Sequence, residues 1–230
     1  MSSHFLILET SSRIGQVAIA ERNRLIAVRR LEEARRHARD LVPAVAGLLE
    51  TCGCRPRDIA AVLVSHGPGS YTGLRVGIMS AKAFAYGTGC RLLAIDTFAA
   101  VALQAPSSAN RLDVIADAQQ EKVYVQRFGL ADANGVRLPE TSLAIRRLSE
   151  WLKDRPEQVW VTGPGLHLYR DRLPAAVPCV SAESWDPRPE SLLALGGLHH
   201  DRGDSDDLWS LEPLYARPSS AEEKWQQKKS

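Results

Sequence analysis

The pattern of apolar and polar positions in the first hundred residues predicts alternating strands and helices. Short aliphatic and β-branched runs, bounded by polar or glycine-rich turns, are typical of buried strands. They occupy residues 5–9, 16–20, 25–30, 61–64 and 92–95. Apolar residues at helical spacing predict three helices, around residues 41–49, 70–85 and 97–103. The predicted order of elements is therefore βββαβαβα.

Two residues mark the limits of the first predicted helix. Pro43 lies near its start, where proline is acceptable only if Asp40 caps the helix or the helix is kinked at that point. Gly53 is predicted to end the helix, because glycine readily adopts the left-handed conformation found just beyond helix C-termini.

The second half of the chain repeats the pattern of the first. Val114–Asp117 followed by Val123–Val125 resembles Ile7–Glu9 followed by Val17–Ile19. In both pairs an acidic residue precedes a strand valine by eight positions. A duplicated domain explains this match, and the repeat is far too long for a solenoid.

A second match supports the duplication. Trp160–Gly165 repeats the arrangement of Val64–Gly69, again ending a strand and opening a helix. We therefore predict an α/β fold of two duplicated lobes, each a mixed sheet flanked by helices. The predicted divisions are a first lobe at 1–106, a second lobe at 107–218, completed by a helix at 191–199, and a polar tail at 219–230.

A glycine-rich turn follows the fourth predicted strand. Residues 67–69 read Gly-Pro-Gly and can only be a tight turn, and either Ser70 or Thr72 can cap the helix that follows. The free N–H groups of that helix's first turn could bind an anion or a nucleotide. The residues of this candidate site are Gly67, Pro68, Gly69, Ser70, Thr72 and Gly73.

The turn does not match either common nucleotide motif. Gly73 is followed by Leu74, so the lysine of a Walker loop is missing. The three glycines are also spaced one residue too widely for a dinucleotide fingerprint. A structural turn and an anion site both remain open.

Small residues recur every four positions in the helix after the turn. The stripe comprises Gly73, Gly77, Ala81 and Ala85, and it leaves a flat surface that another element can approach closely. Glycine weakens a helix by up to about 1 kcal/mol relative to alanine, so the stripe predicts compensating packing, either internal or with a partner.

Composition and charge exclude several classes of protein. A chain of 230 residues with 44% hydrophobic content can bury a full core, and a net charge of +2 is too small to argue for nucleic acid or membrane binding. The four cysteines form no Cys-x-x-Cys pair and the first residues do not read as a signal peptide, which predicts a reducing cytoplasm and no membrane association. The histidines lack metal-binding spacing, so no metal site is expected.

Two lobes that each open with a β-hairpin carrying an acid at its turn resemble the actin, hexokinase and Hsp70 (ASKHA) superfamily. This superfamily has ribonuclease-H-like lobes and an ATP-binding cleft. More narrowly, the chain resembles the TsaB (YeaZ) family over almost its whole length. The matching segments are 6–11, 37–43, 67–77, 117–124 and 213–218, of which the glycine segment is the most specific.

The resemblance implies a non-catalytic scaffold or activator subunit of the bacterial machinery that attaches threonylcarbamoyl to N6 of adenosine 37 in tRNAs reading ANN codons. It implies that the chain pairs with the transferase TsaD through first-lobe helices and that the ATPase TsaE joins this pair. It also implies that tRNA is contacted only indirectly, through the complex. No tightly bound cofactor is expected, with ATP and Mg²⁺ possible only in the complex with TsaD. We expect the partner or homodimer interface at Leu41, Val45, Leu48, Gly73, Leu74, Gly77, Ala81 and Ala85.

One position departs from the family pattern, because Glu9 stands where family members usually show Asp. Glu9 is interpreted as a turn acid that accepts hydrogen bonds from backbone N–H groups at residues 10–12. The alternatives are a free-standing kinase or ATPase of the same fold, using Glu9 and Asp117 to bind Mg²⁺, and a nuclease with metals at Glu9, Asp96 and Asp117. The missing loop lysine and the duplicated second lobe count against them.

Overall fold

The computed structural model describes residues 4–31 and 37–214. The predicted tail at 219–230 lies outside the described residues. The first sheet contains five strands in the order β3-β2-β1-β4-β5. They are β1 (His4–Glu9), β2 (Gln16–Glu21), β3 (Arg24–Arg30), β4 (Ile59–Gly67) and β5 (Arg91–Asp96). Strands β1, β4 and β5 are parallel, and β2 is antiparallel to both β1 and β3.

The second sheet repeats this arrangement. Its strands are β6 (Leu112–Asp117), β7 (Lys122–Ala131), β8 (Arg137–Pro139), β9 (Ala144–Arg147) and β10 (Trp160–Thr162). Strand β6 pairs antiparallel with β7 and parallel with β10, as β1 pairs with β2 and β4. The predicted α/β class with two related lobes is therefore confirmed.

Helices cover both faces of the first sheet. The helices are α1 (His37–Thr51), α2 (Tyr71–Thr88), α3 (Thr97–Leu103), α4 (Leu148–Asp154), α5 (Leu166–Tyr169) and α6 (Pro189–Asp201). Helices α1 and α2 pack on one face of the first sheet, and α3 and α6 on the other. Helix α3 also packs on the second sheet, through a cluster that includes Phe98, Val101 and Phe128. The two lobes therefore share α3.

The position of α6 differs from the prediction. The helix expected at Ser191–His199 exists, but its buried Leu192, Leu193 and Leu195 pack on the first sheet rather than completing the second lobe. Sequence periodicity identifies the apolar face of a helix without saying which sheet covers that face. The division at residue 106 stays a prediction.

Helix α1 tests the interpretation of Pro43. The helix runs from His37, so Asp40 lies inside its first turn, and of the two alternatives the one in which Asp40 caps the start is excluded. The predicted end is confirmed, because Gly53 has φ +63° just beyond the last helical residue. Across residues 4–31 and 37–214, no helix has both the length and the apolar character needed to span a membrane.

Candidate functional site

The glycine-rich turn joins β4 to α2 as predicted. Gly67 has φ +116°, a conformation that favours glycine, and its N–H donates to the Thr97 hydroxyl at 3.0 Å. Ser70 is the cap of α2, because its Oγ accepts a hydrogen bond from the N–H of Gly73 at 3.2 Å. Thr72 lies within the first turn instead of capping it.

The turn lies directly against the loop between β1 and β2. The N–H of Ser70 donates to the carbonyl of Ser11 at 2.7 Å. A Cβ atom at Gly69 would lie 2.5 Å from that same carbonyl oxygen. These contacts fill the space beside the turn with the chain's own backbone, as expected of a structural turn. The alternative of an anion or nucleotide site here stays a prediction.

Glu9 lies at the end of β1 and is fully buried. Its Oε1 accepts hydrogen bonds from the N–H of Ser11 at 2.7 Å, the hydroxyl of Ser11 at 2.7 Å and the N–H of Ser12 at 3.0 Å. The interpretation as a turn acid is confirmed at both of these residues, whereas the N–H of Thr10 donates to Ser65. Burial raises the pKa of Glu9 to about 7, although the hydrogen bonds favour the ionised carboxylate.

The other acids proposed as metal ligands have local partners. Asp96 caps α3, accepting from the N–H of Ala99 at 2.8 Å. Asp117 accepts from the hydroxyl of Tyr169 at 2.7 Å and from the N–H of Gln119 at 2.9 Å. Within the part of the chain that the structure describes, no group of three or more His, Cys, Asp or Glu residues could hold a metal ion. The two-metal alternative therefore gains no support from this geometry.

The partner interface stays a prediction, but the structure buries most of the residues named for it. Of its eight residues, Val45 is half-buried and the other seven are buried in the chain's own core. These seven are Leu41, Leu48, Gly73, Leu74, Gly77, Ala81 and Ala85. A Cβ atom at Gly77 would lie 2.1 Å from the Thr10 Oγ1. Gly73 and Gly77 therefore pack internally against Thr10, the residue that follows β1, and internal packing was one of the two alternatives. The sequence could not decide between them, because a stripe of small residues has the same spacing whichever surface covers it.

The opposite faces of α1 and α2 expose large apolar side chains. Val42 on α1 is 64% exposed, and Met79 and Tyr86 on α2 are 63% and 72% exposed. Helices α1 and α2 contact each other, and exposed apolar side chains on contacting helices mark a candidate protein interaction surface. We name this surface the outer helix face.

The chain after α6 extends the outer helix face. This segment, residues 204–214, which we name the C-terminal strap, runs past the edge of the first sheet, where the N–H of Asp206 donates to the Leu92 carbonyl at 2.8 Å. Leu208 and Leu211 are half-buried and pack against the core cluster that α1 and α2 cover. Trp209, between them in sequence, is 78% exposed and meets the Tyr86 ring edge-on at 6.0 Å.

The strap ends at the glycine-rich turn. The N–H of Leu214 donates to the His66 carbonyl at 2.9 Å, and the His66 ring bonds the Glu212 carbonyl at 2.9 Å. Sequence reasoning missed the strap and Trp209. The signal was the pair Leu208 and Leu211, apolar residues three apart in an otherwise polar segment.

Comparison with known proteins gives a consistent result. Residues 31–153 match the family model described as TsaD, tRNA N6-adenosine threonylcarbamoyltransferase. The chain is 26% identical to the tRNA threonylcarbamoyladenosine biosynthesis protein TsaB of Bacillus subtilis (strain 168), over 96% of both chains. It is 28% identical to TsaB of Escherichia coli (strain K12), over 81% of this chain and 83% of the relative.

Solved structures agree with these relatives. YeaZ from Pseudomonas aeruginosa superimposes with a TM-score of 0.76 at 27% identity, covering 93% of this chain and 99% of YeaZ. A second structure from Pseudomonas aeruginosa, described as an uncharacterized protein with similarity to peptidase YEAZ, gives a TM-score of 0.79 at 27% identity. It covers 94% of this chain and 100% of that one.

Proposed function

The chain belongs to the TsaB (YeaZ) family of tRNA threonylcarbamoyladenosine biosynthesis proteins, and from this premise we propose that it acts as a non-catalytic scaffold subunit of the transferase TsaD. In this proposal TsaD carries out threonylcarbamoyl transfer to N6 of adenosine 37. The ATPase TsaE joins the pair, and tRNA is contacted through the assembled complex.

The observation that carries this proposal is the outer helix face. Val42, Met79 and Tyr86 place exposed apolar surface on two adjacent helices of the first lobe, and Trp209 adds an indole beside Tyr86. Tryptophan and tyrosine are enriched among the residues that dominate binding energy at protein interfaces. We propose that TsaD packs here, and that the isolated chain uses the same face to form a homodimer.

The polar groups at the strand ends support a non-catalytic role. Glu9, Asp96 and Asp117 each accept hydrogen bonds from neighbouring groups of the same chain. A catalytic acid or metal ligand needs lone pairs directed at a substrate or ion. Asp96 caps α3, Asp117 bonds Tyr169 and the turn after β6, and Glu9 uses Oε1 for its own turn, which leaves its buried Oε2 without a partner. ATP and Mg²⁺ are therefore assigned to the complex with TsaD, and not to this chain alone.

Sedimentation velocity of the chain with purified TsaD tests the proposal. We expect a heterodimer that replaces the homodimer, and no ATP hydrolysis by the isolated chain. Absence of a complex, together with Mg²⁺-dependent ATP turnover by the chain alone, would favour a free-standing kinase or ATPase of the same fold.

A further inference from the structure

The chain crosses from the second lobe back to the first through residues 182–188, which we name the crossover segment. Before it, the N–H of Val180 donates to the Val161 carbonyl of β10 at 3.0 Å. After it, Pro189 begins α6, which packs on the first sheet. Pro187 is buried, although Arg188 after it is exposed. The segment therefore contacts both lobes.

Three side chains from different elements bind three carbonyl groups of the crossover segment. Gln104, at the end of α3, donates its Nε2 to the Ser184 carbonyl at 3.3 Å and the Asp186 carbonyl at 2.9 Å. Thr162, at the end of β10, donates its hydroxyl to the Ser184 carbonyl at 3.3 Å. Gln16 of β2 donates its Nε2 to the Pro187 carbonyl at 3.3 Å.

Side chains of the crossover segment add further contacts to the second lobe. His167 of α5 bonds Asp186 through Nε2 and Oδ2 at 2.8 Å, and its ring meets the Trp185 ring edge-on at 5.2 Å. The Trp185 Nε1 donates to the Val180 carbonyl at 2.9 Å. The segment is thus held by backbone and side chain on the second lobe, and by Gln16 on the first.

The crossover segment lies where an open α/β protein usually binds a ligand. Such ligands bind in the crevice beyond the carboxyl ends of parallel strands. Gln16 pairs with Glu9 at the carboxyl end of β1, and Thr162 is the last residue of β10. The backbone that these residues bind therefore passes between the carboxyl ends of the two sheets.

We propose that the crossover segment is a built-in latch that holds the two lobes in one arrangement and occupies the crevice between them. Two lobes move relative to each other by default unless a large apolar interface joins them, and closure around a ligand is a common way to fix them. In this chain the crossover segment adds polar contacts to the apolar packing of α3 on the second sheet. Here the chain supplies the closing contacts itself. This deepens the proposed scaffold function, since a latched chain presents one fixed outer helix face to its partner.

Hydrogen exchange of the isolated full-length chain tests the latch without involving TsaD, so its result is separate from that of the proposed function. The double variant Gln16→Ala/Gln104→Ala removes three of the four carbonyl contacts made by these side chains. We expect amides at 180–186 to exchange roughly tenfold faster or more, because local opening no longer breaks these bonds. Gln126→Ala is the matched control, since that glutamine also donates to a carbonyl, at Thr141, but within one lobe.

If the amides at 180–186 of the double variant exchange within about twofold of the wild-type rate, the latch is overturned. A second arm uses the wild-type chain with millimolar Mg²⁺-ATP and does not depend on the variant folding. We expect unchanged exchange at 9–16, 160–165 and 180–186, because the crevice is already occupied. Slower exchange at these segments would show a nucleotide entering the crevice and would also overturn the proposal.

Discussion

A Cβ atom at Gly73 would lie 1.9 Å from the carbonyl oxygen of Thr10, so α2 lies in direct contact with the residue that follows β1. Gly73→Ala is therefore expected to lower the free energy of unfolding by roughly 1–3 kcal/mol, since the obstacle is backbone and cannot rotate away. Urea unfolding measures the change. Gly87→Ala on the same helix has no atom within 4 Å of the new Cβ and should instead stabilise by about 0.5–1 kcal/mol. Equal effects at both positions would contradict the packing described.

Ionisation of Glu9 makes folding stability depend on pH. Its pKa is about 7 in the folded protein against an ordinary value of 4.5, so the folded state binds more protons between these values. The free energy of unfolding contributed by Glu9 is therefore fully present below about pH 4.5 and is lost as the pH rises through about 7. The loss should be on the order of 3 kcal/mol.

Glu9→Gln isolates this contribution, because glutamine keeps an acceptor oxygen for Ser11 and Ser12 without a charge. Unfolding is measured at several pH values in both proteins, and the difference between them is compared. In the variant, the free energy of unfolding should no longer fall with rising pH by the amount that Glu9 contributes in the wild type. An identical pH profile in both proteins would mean that Glu9 does not titrate in this range.

Binding of TsaD is expected to depend on the outer helix face. Met79→Asp places a charge in the middle of that face and should weaken the complex at least tenfold, since a buried unpaired charge is costly at an interface. Isothermal titration calorimetry measures the affinity. Leu168→Asp is the control, because Leu168 on α5 is 62% exposed, against 63% for Met79. If both variants bind like the wild type, the interface lies elsewhere.

The placement of α6 on the first sheet predicts different effects at two adjacent glycines. A Cβ atom at Gly196 would lie 2.5 Å from the Leu63 Cδ1 of β4, and Leu63 is fully buried. Gly196→Ala should therefore lower the free energy of unfolding by roughly 1–3 kcal/mol. Gly197→Ala meets only the Asn23 Oδ1, at 3.7 Å, and should be neutral or slightly stabilising. Thermal unfolding of the two variants distinguishes them, and a destabilised Gly197→Ala with a neutral Gly196→Ala would place the helix differently.

Local features of the fold follow from the sequence because local physics determines them. The apolar run at β1, the cap at Ser70 and the span Thr97–Leu103 match the structure. The duplicated topology could also be predicted, since the repeat places Glu9 and Asp117 at the ends of equivalent strands.

Long-range placement could not be predicted in the same way. The small-residue stripe on α2 has one spacing whether β1 or another protein covers it, and only Thr10 beside Gly73 and Gly77 decides between the two. Likewise, the apolar face of α6 does not specify which sheet it covers. The crossover segment depends on Gln16 and Gln104, whose partners lie 171 and 80 to 82 residues away along the chain.

We infer that this chain supports transfer by TsaD without performing chemistry itself. Threonylcarbamoyl transfer to tRNA by TsaD and TsaE, supplied with threonylcarbamoyl-AMP, is measured with and without this protein. We expect omission of the chain to abolish transfer, and we expect the chain alone to transfer nothing and to hydrolyse no ATP. Met79→Asp should restore much less activity than Leu168→Asp. Undiminished transfer without the chain would show that TsaD does not need it.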